Sequence, residues 1–322
     1  MSDDTIMKLF LPLYADLRPE DAFHNKQPLL AHYTTTQVLE KILTSNEVWF
    51  SNPLFMNNMD EVRFGVLQGN ALVMNSQEIA KACKTEERAQ LFKNHFAFYF
   101  DQFANQHVLD TYVFCLSDHD KNDNDGKLSM WRGYGANGNG VAIVFDTAKL
   151  NVAENSPLII ANVKYATREA RMDWLNNLLS TFANILSTAD IPNEKLYLAA
   201  HSLFERIKLF ALYTKHQGFK EEDEWRIVYL PERDREKKLE PMFHYSINSR
   251  GIEPKLRFKV LPIEGLTADD LSIAKITDRI ILGPSISSPI AIASIKRMFD
   301  LLKQPDLKSK VCASTIPFRA IS

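Results

Sequence analysis

Glu222-Asp223-Glu224-Trp225-Arg226-Ile227-Val228-Tyr229-Leu230 opens with two carboxylates two residues apart and then turns apolar in the manner of a strand. Side chains at i and i+2 on a strand share a face, so the stretch predicts Glu222 and Glu224 pointing together while Trp225 and Ile227 enter the opposite layer. Two carboxylates on one face suit either a solvated edge strand or a catalytic pair, and the spacing leaves both readings open.

Upstream of that stretch, residues 29–33 read as a strand, 35–45 as an amphipathic helix begun by a threonine cap, and 48–51 as a second strand. Residues 61–110 carry apolar positions at helical spacing. Residues 111–117 read as a buried strand, with further strands at 141–145 and 162–165. The stretch 168–214 is again helical. Its residues Leu196, Ala200, Leu203, Ile207, Phe210 and Ala211 form one core-facing stripe that Gly218 is expected to end. After the strand at 225–230, a charged loop at 232–240 leads to strands at 256–261 and 279–282, a helix at 288–302 and a closing strand at 311–316. No linker interrupts this order. The expectation is one α+β domain over 29–322, preceded by an N-terminal extension of 1–28, with helical insertions at about 62–110 and 168–214.

Composition narrows the class. The 322 residues are 45% apolar, enough for a sizeable core, and the formal net charge of -2 gives no reason to expect tight, sequence-independent nucleic-acid binding. Cys83, Cys115 and Cys312 lie far apart without a CxxC pair, which fits a reducing cytoplasm. The apolar stretch at 9–13 is short and interrupted by Pro12, unlike a signal peptide, and no window approaches membrane-spanning length. A cytoplasmic protein without a membrane partner is expected.

Several apparent motifs fail on context. Gly133-Tyr134-Gly135-Ala136-Asn137-Gly138 satisfies the letters of G-x-G-x-x-G, but it leads into a strand instead of opening a helix, so it reads as a tight turn. Asp120, Asn122 and Asn124 imitate the start of a calcium loop, yet the glycine comes one position late and Trp131 stands where a bidentate glutamate is needed. The histidines show no zinc spacing, so no metal is expected.

What remains is a set of polar and aromatic residues near strand ends. His32, with Tyr33 and Thr34, closes the first strand, Ser117 ends the buried one, and Trp131 and Tyr134 flank the glycine turn. Each has a plain structural reading as well, His32 as a satisfied core histidine and the two aromatics as core. Lys215, His216 and Lys220 lie just before the carboxylates, suited to a phosphate or to a helix C-terminus.

Taken together, His32-Tyr33-Thr34, Trp49-Phe50-Ser51-Asn52-Pro53, Phe55-Met56-Asn57-Asn58 and Glu61 resemble the start of the bacterial family known as domain of unknown function 2971. Phe114-Cys115-Leu116-Ser117, Met130-Trp131-Arg132-Gly133-Tyr134, Gly140-Val141-Ala142-Ile143, Lys215 with Phe219, Glu222 through Arg226, and Ile281-Leu282-Gly283-Pro284 continue the resemblance over about 29–316. Asn58-Met59-Asp60 departs from the family's more usual Asp-Pro pairing. That family implies no activity.

The order of His32, an aromatic and Glu224 is also similar, more distantly, to the His-Tyr-Glu arrangement of ADP-ribosyltransferases. That resemblance implies split mixed or antiparallel sheets with NAD, a small-molecule dinucleotide, as co-substrate. Glu224 would steady the ribosyl cation and Glu222 orient the acceptor, a protein or a nucleic acid. The implied NAD-binding set is His32, Tyr33, Thr34, Ser117, Trp131, Tyr134, Lys215 and Arg226. His32 would hold the adenosine-side ribose, and Tyr134 or Trp131 would stack on nicotinamide. Such an enzyme would suit a bacterial toxin or phage-defence effector. Two other classes compete: a nucleic-acid-cleaving effector with a divalent metal on Asp118, Asp120, Glu222 and Glu224, and a binding module without chemistry.

Overall fold

The computed structural model describes residues 1–17, 22–56, 59–152, 156–249 and 251–318; Asn57 and Asn58 of the family-like opening motif lie outside them. The strands are β1 (Leu29–Thr34), β2 (Glu47–Ser51), β3 (Tyr112–His119), β4 (Val141–Asp146), β5 (Leu158–Asn162) and β6 (Lys164–Ala166). They continue with β7 (Thr214–His216), β8 (Glu224–Tyr229), β9 (Phe243–Asn248), β10 (Gly251–Lys259), β11 (Thr277–Leu282) and β12 (Val311–Ala313). The architecture is α+β, with antiparallel and parallel pairs. Contacts divide the chain into two compact units, one of Met1–Ala22, Asn52–Thr111 and Val163–Phe219, the other of Phe23–Ser51, Tyr112–Asn162 and Lys220–Ser322.

The first unit is mainly helical and contains both helical stretches read from periodicity, as Met59–Asn75, Gln77–Ala82, Glu86–Asn105, Arg168–Thr188 and Leu196–Tyr213. The apolar stripe of Leu196–Tyr213 is buried as its spacing predicts. Gly65 and Gly69 face it where an added Cβ would lie 2.6 Å from Ala211 and 2.5 Å from Ile207, so only glycine permits this approach. The helix stops at Tyr213, before Gly218, because Thr214 turns extended and β7 pairs in parallel with β6. The strand expected at 162–165 resolves into β5 and β6, broken at Val163.

The second unit holds a ten-stranded sheet whose main path runs β12-β11-β4-β1-β3-β2-β10-β9, with β8 branching from β3 and β5 completing that branch. Sheet pairs are antiparallel except β11–β12. Thr35 caps the helix Thr36–Ser45, as its sequence predicts. Strand β9 carries no clean alternation of burial, which is why periodicity misses it. One face of the sheet builds the main core, including Leu30, Phe50, Phe114, Leu116, Trp225 and Leu256. The other carries a smaller cluster of Ala31, Tyr33, Met130, Trp131, Ala142, Val144 and Ile281. Among the described residues, no helix is long and apolar enough to cross a membrane.

Candidate active site

The site grows from the register of three strands. Ser117 on β3 lies opposite Ala31 on β1 and opposite Glu224 on β8, and Cys115 lies opposite Arg226. Directly opposed residues share a face, so Ala31, Tyr33, Cys115, Ser117, Glu224 and Arg226 project from the side of the smaller cluster. Trp225 and Ile227 point the other way into the main core, as their alternation predicts.

Glu224 opens β8, but Glu222 does not precede it on the strand. It ends the 3-10 turn Gln217–Glu222, and Asp223 between them sits at φ +40 in the left-handed region. The turn is tied to β3 twice: the Ser117 hydroxyl donates to the Glu222 carbonyl at 2.6 Å, and the Asp118 amide donates to the Asp223 carbonyl at 2.8 Å. The two carboxylates therefore come from a turn and a strand, with different surroundings. Glu224 is buried and meets Arg226 through two parallel bonds, Nε to Oε1 at 2.8 Å and Nη2 to Oε2 at 3.2 Å. Glu222 is half-buried and accepts the Tyr134 hydroxyl at 3.0 Å.

Tyr134 is carried there by the helix Leu128–Gly133, whose Trp131 packs edge-on against Tyr33 with ring centroids 4.8 Å apart. The Tyr33 hydroxyl accepts the Lys127 amide at 2.8 Å, and the Lys127 ammonium reaches Asp223 at 2.7 Å. The short helix is thus fastened to the glutamate turn at both ends, by Lys127 before it and Tyr134 after it. Burial pushes the Tyr33 phenol up to about 12. The Tyr134 phenol is raised as well, first by desolvation, then by the Glu222 charge and hydrogen bond, with Glu224 and Cys115 adding to it. An exposed aromatic ring, two carboxylates and a thiol share one electrostatic neighbourhood.

His32 does not join this face. Its ring lies against Phe114, centroids 4.7 Å apart, on the side of the main core. The β1–β3 register ends at Ala31–Ser117, and the next contact on that edge of β3 is Ser51 with Val113. The Cys115 carbonyl faces this break, and the His32 Nδ1–H donates to it at 3.4 Å. That bond ties the imidazole to the backbone of β3 beside the place where the β1–β3 register stops. Burial outweighs that hydrogen bond and pushes its pKa down to about 4, which keeps it neutral.

Other expected site residues fall elsewhere. Trp131 is fully buried with its indole N–H on the Asp125 carbonyl at 2.8 Å, so Tyr134 is the ring of this pair that meets solvent. Thr34 ends β1 opposite Val141. Lys215 is buried in the helical unit, its ammonium 4.7 Å from the centre of the Phe219 ring. Of the metal-site set, Asp118 accepts the Trp225 indole at 3.0 Å and Asp120 accepts the Asn122 amide at 2.7 Å. Among the described residues no three His, Cys, Asp or Glu side chains group as a metal site. The calcium-like loop is filled by Arg279, which donates to the Lys121 and Asp123 carbonyls and to Asn124 at 2.7–3.0 Å. Lys127, Asp223 and Cys115 escaped prediction because nothing local in sequence links a lysine before a helix to a turn almost a hundred residues later.

The matching family is described as Protein of unknown function (DUF2971), over residues 130–227, a span that begins at Met130 and ends within β8. It takes in Trp131, Tyr134, Glu222, Glu224 and Arg226. No curated protein and no solved structure matches the chain.

Proposed function

We propose that the chain is an NAD-consuming enzyme, an ADP-ribosyltransferase or glycohydrolase, acting at the Tyr134–Glu222–Glu224 cluster. The observation carrying this reading is the convergence of the exposed Tyr134 ring with two carboxylates over the end of β8. Breaking the bond from ribose to nicotinamide sends both bonding electrons to the ring nitrogen and leaves an oxocarbenium-like sugar, which an acceptor lone pair then attacks. A fixed anion helps most where that positive charge develops. Glu224, oriented by its two bonds to Arg226, supplies that carboxylate, and Glu222, half-buried beside Tyr134, orients the acceptor. Tyr134 stacks on the departing ring, and Tyr33 acts from behind as a positioning residue through Lys127 and Trp131.

The test is nicotinamide release and a rise in melting temperature with NAD, measured on wild type, Glu222→Gln and Tyr134→Phe. Both variants are expected to fold, and Glu222→Gln to lose on the order of a hundredfold in turnover. A wild-type protein that neither releases nicotinamide nor gains stability with NAD overturns the reading. Glu224→Gln is a poorer first test, because it also breaks the buried ion pair with Arg226.

A further inference from the structure

Strand β9 closes one end of the main sheet, and among the described residues no strand pairs with its outer edge. On its inner side it pairs with β10 without a bulge, from Phe243 opposite Leu256 to Asn248 opposite Gly251. Pro254, opposite Tyr245, has no N–H to give, so this pair is of the kind that exchanges no ladder bonds, and the Tyr245 N–H and C=O face outward. The Tyr245 amide accordingly donates to the imidazole of its neighbour His244, at 2.8 Å. Backbone direction repeats every second residue, so Ile247 turns its own amide and carbonyl to the same open edge.

An edge of this kind is a template for another strand, and folded proteins guard it with lysine, proline, a bulge or a covering segment. β9 reads Phe243-His244-Tyr245-Ser246-Ile247-Asn248, with no proline and no Lys, Arg, Asp or Glu. It also carries apolar surface beyond the core. Phe243 and Leu256 pack in the main core, and the next pairs on the same face, Tyr245 with Pro254 and Ile247 with Ile252, run past it. Tyr245, Ile247 and Ile252 are 55%, 72% and 66% exposed.

We infer that β9 pairs with the β9 of a second copy of this chain, antiparallel about a two-fold axis at Ser246. Tyr245 then opposes Ile247 of the partner subunit, so the two exposed apolar residues of the strand cover one another and their outward amides and carbonyls exchange ladder bonds in both directions. His244 opposes the neutral Asn248 of the partner subunit and Ser246 opposes its own copy, so the axis brings no like charges together. This contact does not depend on the NAD reading. One strand and its flanks make a small, weak interface, so sedimentation of the full chain is followed up to about 100 µM, where the mass is expected to approach that of a dimer. Ile247→Lys puts a charge into both copies of the pair and is expected to weaken the dimer at least about tenfold. Its melting temperature, measured on dilute protein, should equal that of wild type, because Ile247 lies outside the core. Ser246→Cys sets a thiol opposite its own copy in a narrow pair, with Cα atoms about 4.5 Å apart, and is expected to form a covalent dimer on mild oxidation beyond any that wild type forms through Cys83, Cys115 and Cys312. A wild type that stays monomeric overturns the inference and leaves this edge to a strand of another protein. A dimer that Ile247→Lys does not weaken overturns it too, as does a dimer in which Ser246→Cys fails to cross-link. If Ile247→Lys lowers the melting temperature, the cross-link alone decides.

Discussion

The two edges of β3 are built differently. Along one, β8 pairs without a break from Tyr112–Tyr229 to Ser117–Glu224. Along the other, β1 leaves at Ser117, β2 arrives at Val113, and an imidazole stands at the break. The continuous edge supports the charged machinery, because paired backbone on both strands fixes where Glu224 and Arg226 point. At the broken edge a neutral imidazole donates to the Cys115 carbonyl, so its contribution to stability depends on pH. One strand therefore carries a rigid, ionic flank and a flank stabilised by one protonation state.

The largest effect is expected on the continuous edge. Glu224 and Arg226 are 5% and 6% exposed at their side chains, so removing either breaks a buried, doubly hydrogen-bonded ion pair. Arg226→Met and Glu224→Gln should each lose about 3–5 kcal/mol in urea unfolding. The double variant Glu224→Leu with Arg226→Met should recover most of that loss. If the single variants cost less than about 1 kcal/mol, this edge is not the rigid one.

The broken edge should show its weakness as pH falls. The imidazole moves from an ordinary 6.5 to about 4 on folding, so the unfolded chain binds a proton first. Stability contributed by neutral His32 is complete above pH 6.5 and is lost between 6.5 and about 4. The two values correspond to about 3 kcal/mol. His119, also pushed down by burial, acts in the same direction, so the measurement is the difference between wild type and His32→Asn. A variant whose stability falls just as steeply over that window would show that His32 does not set the slope.

The fold was largely legible because period and cap carry it. The alternation at 224–229 and the Thr35 cap each reappear at the expected place. What escaped depends on contacts between distant segments. No spacing rule shows that β1 leaves β3 after Ala31, whereas alternation along β1 puts His32 on the core side and Tyr33 on the side of Trp131. The i, i+2 reading of Glu222 and Glu224 likewise assumed an unbroken strand, whereas a left-handed Asp223 makes Glu222 the end of a turn. Aspartate tolerates that conformation better than most residues, but its letters alone do not announce it.

Smaller effects probe what ties the glutamate turn to the continuous edge. Ser117→Ala removes the hydroxyl from the Glu222 carbonyl and should cost about 1 kcal/mol, read as earlier urea unfolding. The smallest stability change is expected at Lys127 and Asp223, whose side chains are 28% and 56% exposed. An ion pair this open contributes about 0–1 kcal/mol and weakens with salt. Asp223→Gly deletes the same pair but relieves the left-handed backbone at φ +40, a gain of similar size, so it should be nearly neutral in urea unfolding. Lys127→Gln removes the pair without that relief and should lose slightly more. The comparison isolates backbone conformation from charge: if Asp223→Gly proves clearly less stable than Lys127→Gln, the aspartate carboxylate supports the turn through contacts beyond Lys127.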